Sequence, residues 1–370
     1  MLPWWKIRRE LHRLGEQIFG IGELITGPLR RAQYDHRRSR EVVVHDGRQP
    51  EATKVALLLL FQPSALARSV LVTCRHLRRR GYAVLAVANG GLQAGAVHEI
   101  LPEVWRLAER PNFGYDFGGY REGIFLLKNW QIRPDHLLIL NDSIWFPLSE
   151  AEDVLAQLEA RESEISGMLL HIDTKYEGSS HRKSAGLAES YFLHVPGAIA
   201  ASEGFSTYWH RLKITDLKGK TIQIGERGFS QAMQREGFSV TGISWRAEFL
   251  RRLARQSDEF LAKTLLYAAY TEPRLEQRGS DLCAAQLRDS AWRRDVLEHI
   301  RNTVRRRRFN GSFIWATELL FGLSFLKKLK QPLFSRMRQA YLAAVDNGDL
   351  PLPDPAILDE IRALQQEYRG

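Results

Sequence analysis

A mainly parallel α/β sheet flanked by helices is the fold class this sequence predicts, and three observations predict it. Short, continuous apolar runs at 55–61, 82–88 and 137–140 alternate with helical spans. A glycine-rich turn, Pro111-Asn-Phe-Gly-Tyr-Asp-Phe-Gly-Gly-Tyr-Arg-Glu-Gly123, opens one of those helices, and the strand after it ends on Asn141-Asp142-Ser143. Strands alternating with helices give parallel pairing with right-handed crossovers. This order places backbone N–H groups and an acid at the carboxyl edge of a sheet, where open α/β folds bind their ligands.

Taken in order, Ile7, Leu11, Leu14, Ile18, Ile21 and Ile25 recur at spacings of three or four, with Lys6, Arg8, Arg9 and Arg13 off the stripe and Trp4 and Trp5 ahead of it. That pattern is an amphipathic helix, either lying in a membrane interface or docking its stripe on the body of the protein. Residues 30–51 read as a polar, basic linker with a short apolar run at 42–44. A strand at 55–61 leads to a helix at 65–80 that Gly81 ends in the manner of a C′ glycine. The strand at 82–88 runs into the turn Asn89-Gly90-Gly91, and a short strand follows at 104–108. The helix at 115–130 then feeds the strand at 137–140. Beyond Pro147 the spacing predicts a helix at 150–161, a strand at 166–172, a polar loop at 174–185, a strand at 189–195, and helices at 198–212 and 222–236. From Arg246 onward the chain reads as helical and basic, with a proline-rich acidic loop before one last helix. The expected organisation is therefore 1–50 as amphipathic helix and linker, 51–245 as the α/β domain, and 246–370 as a helical basic extension. Within the domain, about 51–150 form one half and about 151–245 the other.

The 370 residues are 44% hydrophobic, which suits a packed core and makes an ordered chain the expectation. Cys74 and Cys283 match neither a zinc spacing nor a disulfide framework, so a cytoplasmic location is expected. No run approaches the roughly 20 apolar residues of a membrane span, and the charges scattered through residues 1–20 are unlike a signal peptide. A net charge of +10 implies an anionic partner. Arg305 to Arg308 and Lys327, Lys328 and Lys330 flank an apolar stretch at 313–326, as either the basic margin of a membrane-surface helix or the solvated lysines of an ordinary one. Nucleic acid is not an expected partner, because the arginine runs sit near the ends and no binding module appears.

The segments Asn112-Phe-Gly-Tyr-Asp-Phe-Gly-Gly-Tyr120, Leu140-Asn-Asp-Ser143, Ser190-Tyr-Phe-Leu193 and Glu226-Arg-Gly-Phe-Ser230 occur in the order seen in the rhamnan synthesis protein F family. The chain resembles that family from about residue 55 to 238, and Asn310-Gly-Ser-Phe-Ile-Trp315 with Phe325-Leu-Lys-Lys328 resembles its closing segment. It departs from the family at Phe61-Gln62-Pro63, where a histidine-tyrosine-aspartate triplet is usual, and at Leu187 and Glu189, where a histidine and a glutamine are usual. The resemblance implies a glycosyltransferase A-like fold and a bacterial surface-polysaccharide transferase. Its implied partners are a nucleotide-diphosphate sugar donor and a glycan or lipid-linked glycan acceptor, met at the inner face of the cell membrane by peripheral association.

Glycosyl transfer passes through a cation-like anomeric centre, releases a diphosphate and needs a deprotonated acceptor hydroxyl. A divalent cation, Mg or Mn, neutralises the leaving group in many such enzymes, and Asp142 at its strand end is the expected ligand, although a capping aspartate would look the same. Asn141 and Ser143 supply further oxygens. Asn112, Gly114, Tyr115, Asp116, Gly118, Gly119 and Arg121, with Asn89 beside them, are the expected donor-binding group. The alternative is a helix start with glycines for tight packing. Glu226, matched to the family's glutamate, is the first choice of general base and Glu189 the second. The donor is expected between the helix opening and Asp142. A non-catalytic scaffold of a polysaccharide assembly complex with the same fold is the other reading, because the second aspartate of the usual metal motif is missing.

Overall fold

The computed structural model describes residues 26–172, 186–215, 218–306 and 308–367. The amphipathic segment before residue 26 and the polar loop at 174–185 lie outside the described residues.

Residues 26–41 form helix α1. After it come β1 (Val43–Asp46), β2 (Lys54–Leu60), α2 (Arg68–Arg79), β3 (Tyr82–Asn89), α3 (Ala94–Ile100), β4 (Arg106–Arg110), α4 (Tyr115–Asn129), β5 (His136–Asn141), β6 (Ile144–Trp145), α5 (Val154–Glu159), β7 (Glu164–Ile172), β8 (Gly186–Ala188) and β9 (Phe192–Pro196). Short helices cover Gly197–Ala200 and Glu203–Arg211; a continuous helical stretch, wound wider over Ile222–Arg227, runs from Lys218 to Arg235; β10 is Ser239–Ser244. Helices then dominate to residue 367, interrupted by β11 (Leu326–Lys327).

The main sheet runs β1-β4-β3-β2-β5-β9-β7-β10, with β8 on β7. Strands β4, β3, β2 and β5 are parallel, β10 is parallel to β7, and β9 lies antiparallel to both β5 and β7. β2 reads as an unbroken apolar run because both of its faces are covered. Ala56, Leu58 and Leu60 pack with α2 and the C-terminal helices, whereas Val55, Leu57 and Leu59 pack with α4. α2 follows β2 on one face and α4 enters β5 from the other, so the chain switches direction between β2 and β5 and opens a crevice at their carboxyl ends.

Three expectations are corrected. The linker read at 30–51 is α1 and β1: Tyr34 and Arg38 bind Glu122 of α4, Arg121 pairs with Asp35, and Val43 pairs with Glu109 of β4. The basic and apolar C-terminal stretch is neither a membrane margin nor a solvated helix. Phe313, Ile314, Trp315, Phe321, Phe325 and Leu326 are buried in the same core as the α2 face of the sheet, and Lys327 and Lys328 are tied to acidic and hydroxyl side chains. Among the described residues no helix is long and apolar enough to cross a membrane. The helix expected at 198–212 is in two pieces, restarted by Ser202, whose hydroxyl accepts from Phe205 N.

Candidate active site

The carboxyl edge is organised by a buried arginine. Arg110, at the end of β4, donates to Asn89 Oδ1, to Phe113 O (2.8 Å) and to Tyr34 Oη (2.9 Å). Asn89 Nδ2 donates in turn to Tyr115 O at 3.1 Å. Asn89 is therefore a brace for the glycine-rich turn, itself 4% exposed. The turn needs its glycines for different reasons. Gly114 caps α4 at a φ of 81°, and a Cβ on Gly118 would lie 2.0 Å from Phe113 O. A Cβ on Gly119 would lie 2.1 Å from Leu59 Cδ1, so this glycine seats α4 against β2. Gly118 and Gly119 are thus engaged in packing. Arg121 is buried as well, its guanidinium held by Asp35 at 2.6 and 2.9 Å and by Trp209 O at 3.0 Å. What the turn leaves at the surface is Asn112, Tyr115, which holds a φ of 49°, and the half-buried Asp116.

Successive residues at the end of β5 take opposite sides. Asn141 reaches the α4 side, where its Nδ2 donates to Asp116 Oδ2 at 2.9 Å, while its Oδ1 accepts from Ser143 N and Oγ. Asp142 takes the α2 side, beside Val70, Thr73, Phe146 and Lys328. Its Oδ2 accepts from Phe61 N at 2.8 Å and Gln62 Nε2 at 2.6 Å. Burial pushes its pKa above the ordinary carboxylate value despite these donors and the nearby Lys328. Asp142 is thus engaged with the loop after β2, while its charge still reaches Tyr120 of α4. Asn141 and Asp116 face each other. Among the described residues no three His, Cys, Asp or Glu side chains converge as metal ligands. A hard cation held by one or two carboxylates and substrate phosphates asks for ionised oxygen, which burial disfavours at Asp142.

Ser190, just ahead of β9, closes the edge. Its carbonyl accepts from Tyr120 Oη at 3.0 Å and its Oγ donates to Glu226 Oε1 at 2.7 Å. Burial drives the Tyr120 phenol well above its ordinary pKa, and the charges of Asp116, Glu226 and Asp142 add to that rise. One tyrosine thus stands among the acids from three separate elements.

Glu226 also lines a cavity of about 450 Å³ at the ends of β7 and β8, with Glu189, Arg227, Arg246, Arg305, Arg308 and Asn310 among its walls. Glu189 lies between Arg308 (2.6 Å) and Lys327 (2.8 Å), and Lys327 sits 3.9 Å from the centre of the Tyr191 ring. Burial works to raise the Glu189 pKa, but the two cations outweigh it and hold the carboxyl below its usual range. Glu189 is a fixed anion, poorly suited to accept a proton. A larger void of about 780 Å³ lies at the opposite end of the sheet, lined by Lys128, Arg133, Pro134 and Phe205, far from this chemistry.

Sequence reasoning brought Asp116, Asn141, Ser143, Glu189 and Glu226 to one edge. Tyr120 and Ser190 stood inside quoted motifs without an assigned role, and Arg110 and the cavity arginines had none either. Arg227 stood inside a recognised motif, and Arg308 and Lys327 were visible only as parts of charge runs.

Fold and site together define an α/β protein with a mostly parallel sheet and a polar cleft where its strands end. Residues 84–266 match the family model described as Rhamnan synthesis protein F. That span holds the helix opening, the end of β5 and the Ser190 and Glu226 motifs, while the closing segment at 310–328 lies beyond it. An uncharacterised protein of Sinorhizobium fredii is 30% identical over 243 residues, which are 66% of this chain and 62% of that protein. The chain thus spans less than two thirds of that relative's length. Among solved structures, a mannosyltransferase of Pyrobaculum calidifontis in complex with GDP-Man and Mn2+ is similar at 12% identity over 94% of this chain and 91% of its own, with a TM-score of 0.33. A glycosyltransferase of Streptococcus pneumoniae is similar at 13% identity over 52% of this chain and 45% of its own, with a TM-score of 0.31.

Proposed function

We propose that the protein is a glycosyltransferase, moving a sugar, rhamnose or a related hexose, from a nucleotide-diphosphate donor to a growing bacterial surface glycan at the inner membrane face. The observation that carries the reading is the position of Glu226: hydrogen-bonded to Ser190, close to Tyr120, and standing between the Asp116–Asn141 pair and the arginine-lined cavity. The family match over residues 84–266 supports the same class.

In this reading the donor lies at the switch point between β2 and β5. Asn112, Tyr115 and Asp116 face it from the α4 side, and Asn89 and Arg110 hold the turn that carries them. Where Mg or Mn takes part, Asp116 is the carboxylate placed to share it with the donor phosphates, and the ion would neutralise the departing diphosphate. Glu226 accepts the proton of the acceptor hydroxyl. Its bond from Ser190 Oγ fixes the carboxylate so that one oxygen faces the cavity. Glu189, pinned by Arg308 and Lys327, keeps positive groups in place and exchanges no proton. The amphipathic segment before residue 26, with its apolar stripe and basic flank, is the part assigned to the membrane surface.

The orientation of Asp142 favours a second reading, a non-catalytic scaffold, because the acid expected to hold the metal is taken by Gln62 and Phe61 N. Release of nucleoside diphosphate from a panel of nucleotide sugars by the purified protein separates the two. Transfer activity falling about 10²- to 10⁴-fold in Glu226→Gln, with the fold intact, is the expected result. Undiminished release in that variant would remove Glu226 from the mechanism, and no release from any donor would favour the scaffold.

A further inference from the structure

An unbroken line of hydrogen bonds crosses the carboxyl edge from Asp116 to Glu226, with Tyr120 at its middle. Asn141 Oδ1 is taken by Ser143, so the two hydrogens of its Nδ2 are what it offers the cleft. One goes to Asp116 Oδ2 at 2.9 Å, and the amide also hydrogen-bonds the Tyr120 phenol. The phenol passes its own hydrogen to Ser190 O at 3.0 Å, and Ser190 Oγ donates to Glu226 Oε1 at 2.7 Å. Donors and acceptors thus match at every step. Tyr120 is fully buried in a largely apolar cluster, where phenylalanine would fill the same space with no hydroxyl to desolvate. These bonds offset that cost, and what they hold is Ser190: once its carbonyl is fixed, its Oγ has little freedom left.

The helical stretch that carries Glu226 also leans on α4. A Cβ on Gly225 would lie 2.2 Å from Phe117 Cδ2, and the Phe117 and Tyr120 rings meet edge-on at 5.6 Å. Tyr208 Oη donates to Gly225 O at 3.3 Å, where the winding widens over Ile222–Arg227, a departure from α-helix that recurs at functional sites. Glu226 is therefore set from two directions, through its backbone by Phe117 and through its carboxylate by Ser190. From this geometry we infer that Tyr120 is a positioning residue: acting through Ser190, it aims the Glu226 carboxylate and holds it in register with the Asp116–Asn141 pair. The inference rests on the transferase reading above, in which Asp116 faces the donor and Glu226 the acceptor hydroxyl. One phenol then fixes the spacing between the contacts to the two substrates, so its loss lowers turnover more than donor binding.

Tyr120→Phe and Ser190→Ala in the full chain, each checked for an intact fold by its melting temperature, test this. With purified nucleotide sugars, Tyr120→Phe is expected to lower kcat about tenfold or more while the donor KM changes less than about twofold. The Glu226 carboxylate is read independently of turnover, as the infrared difference between each protein and its Glu226→Gln counterpart. Its stretching band is expected to move in Tyr120→Phe and in Ser190→Ala. In the Ser190→Ala background Tyr120→Phe is expected to add no further shift, because its effect passes through that residue. An unmoved band in Tyr120→Phe, a shift that persists undiminished in the Ser190→Ala background, or a kinetic change confined to the donor KM would overturn the proposal. If no nucleotide sugar is turned over, the transferase reading fails, and the infrared cycle by itself decides whether Tyr120 positions Glu226.

Discussion

Glu189 and Glu226 share a cavity but are held in opposite ways, and substitution separates them. Replacing Glu189 by Gln leaves the buried Lys327 ammonium without its anion, a loss on the order of 3 kcal/mol. Replacing Glu226 by Gln disturbs one hydrogen bond from Ser190, worth about 1 kcal/mol. Urea denaturation is therefore expected to show Glu189→Gln as clearly the less stable variant and Glu226→Gln as the less active one; the reverse order would exchange their roles. Glu318 gives a pH signature. It is buried near Tyr341 with Oε2 unbonded, and burial pushes its carboxyl from the ordinary 4.5 up to about 8. Because the folded state holds this proton more tightly than the unfolded one, the stability it lends is complete below pH 4.5 and is lost as pH rises through about 8. Glu318→Gln is expected to flatten the fall of melting temperature across that window by a few degrees. An unchanged slope would show the carboxyl to be ionised in the folded protein.

At the scale of the element, α4 shows what a sequence can and cannot disclose. Its existence, its start and the strands it joins are legible, since a glycine-aromatic turn before a helical span and an apolar run admit few arrangements. The purpose of each glycine is not legible, because ligand approach and close packing both ask for a missing Cβ. The structure separates these purposes at Gly118 and Gly119. In Gly118→Ala the new carbon meets a backbone carbonyl, whereas in Gly119→Ala it meets the end of the flexible Leu59 side chain. Gly118→Ala is expected to cost upwards of about 2 kcal/mol and Gly119→Ala less, because Leu59 can repack. Equal costs in chemical denaturation would mean that the Leu59 side is as rigid as the turn. α1 and β1 were hidden for a related reason. Polar, basic residues read as a linker, but Tyr34, Asp35 and Arg38 use polarity to bind α4, and hydrophobic periodicity carries no record of such contacts.

For the whole molecule, the decisive fact is that the C-terminal helices and the sheet share one apolar core. Leu58, Leu60, Leu138 and Leu140 of the central strands pack in the same cluster as Trp292, Phe313, Trp315 and Tyr341. β11 pairs with β6, so Lys327 and Lys328 are delivered to opposite sides of the strand ends. Lys327 goes to Glu189, and Lys328 goes to Ser69 and Glu360, near Asp142. The sequence showed these lysines as a charge run, and charge runs are usually solvated; only the pairing of two remote two-residue strands turns them inward. The family match ends at residue 266, yet Arg305, Arg308 and Asn310 form part of the cavity wall. A chain cut to residues 1–266 keeps every strand of the main sheet but loses the cover of its α2 face and much of that wall. Exposed apolar strands of this extent do not stay monomeric. The shortened chain is expected to aggregate or to bind a hydrophobic dye without a cooperative melt, as followed by size-exclusion chromatography and near-ultraviolet dichroism. A monomeric, cooperatively melting 1–266 fragment would show instead that the sheet and the C-terminal helices are separate folding units, and that the helices are an attachment to the α/β domain.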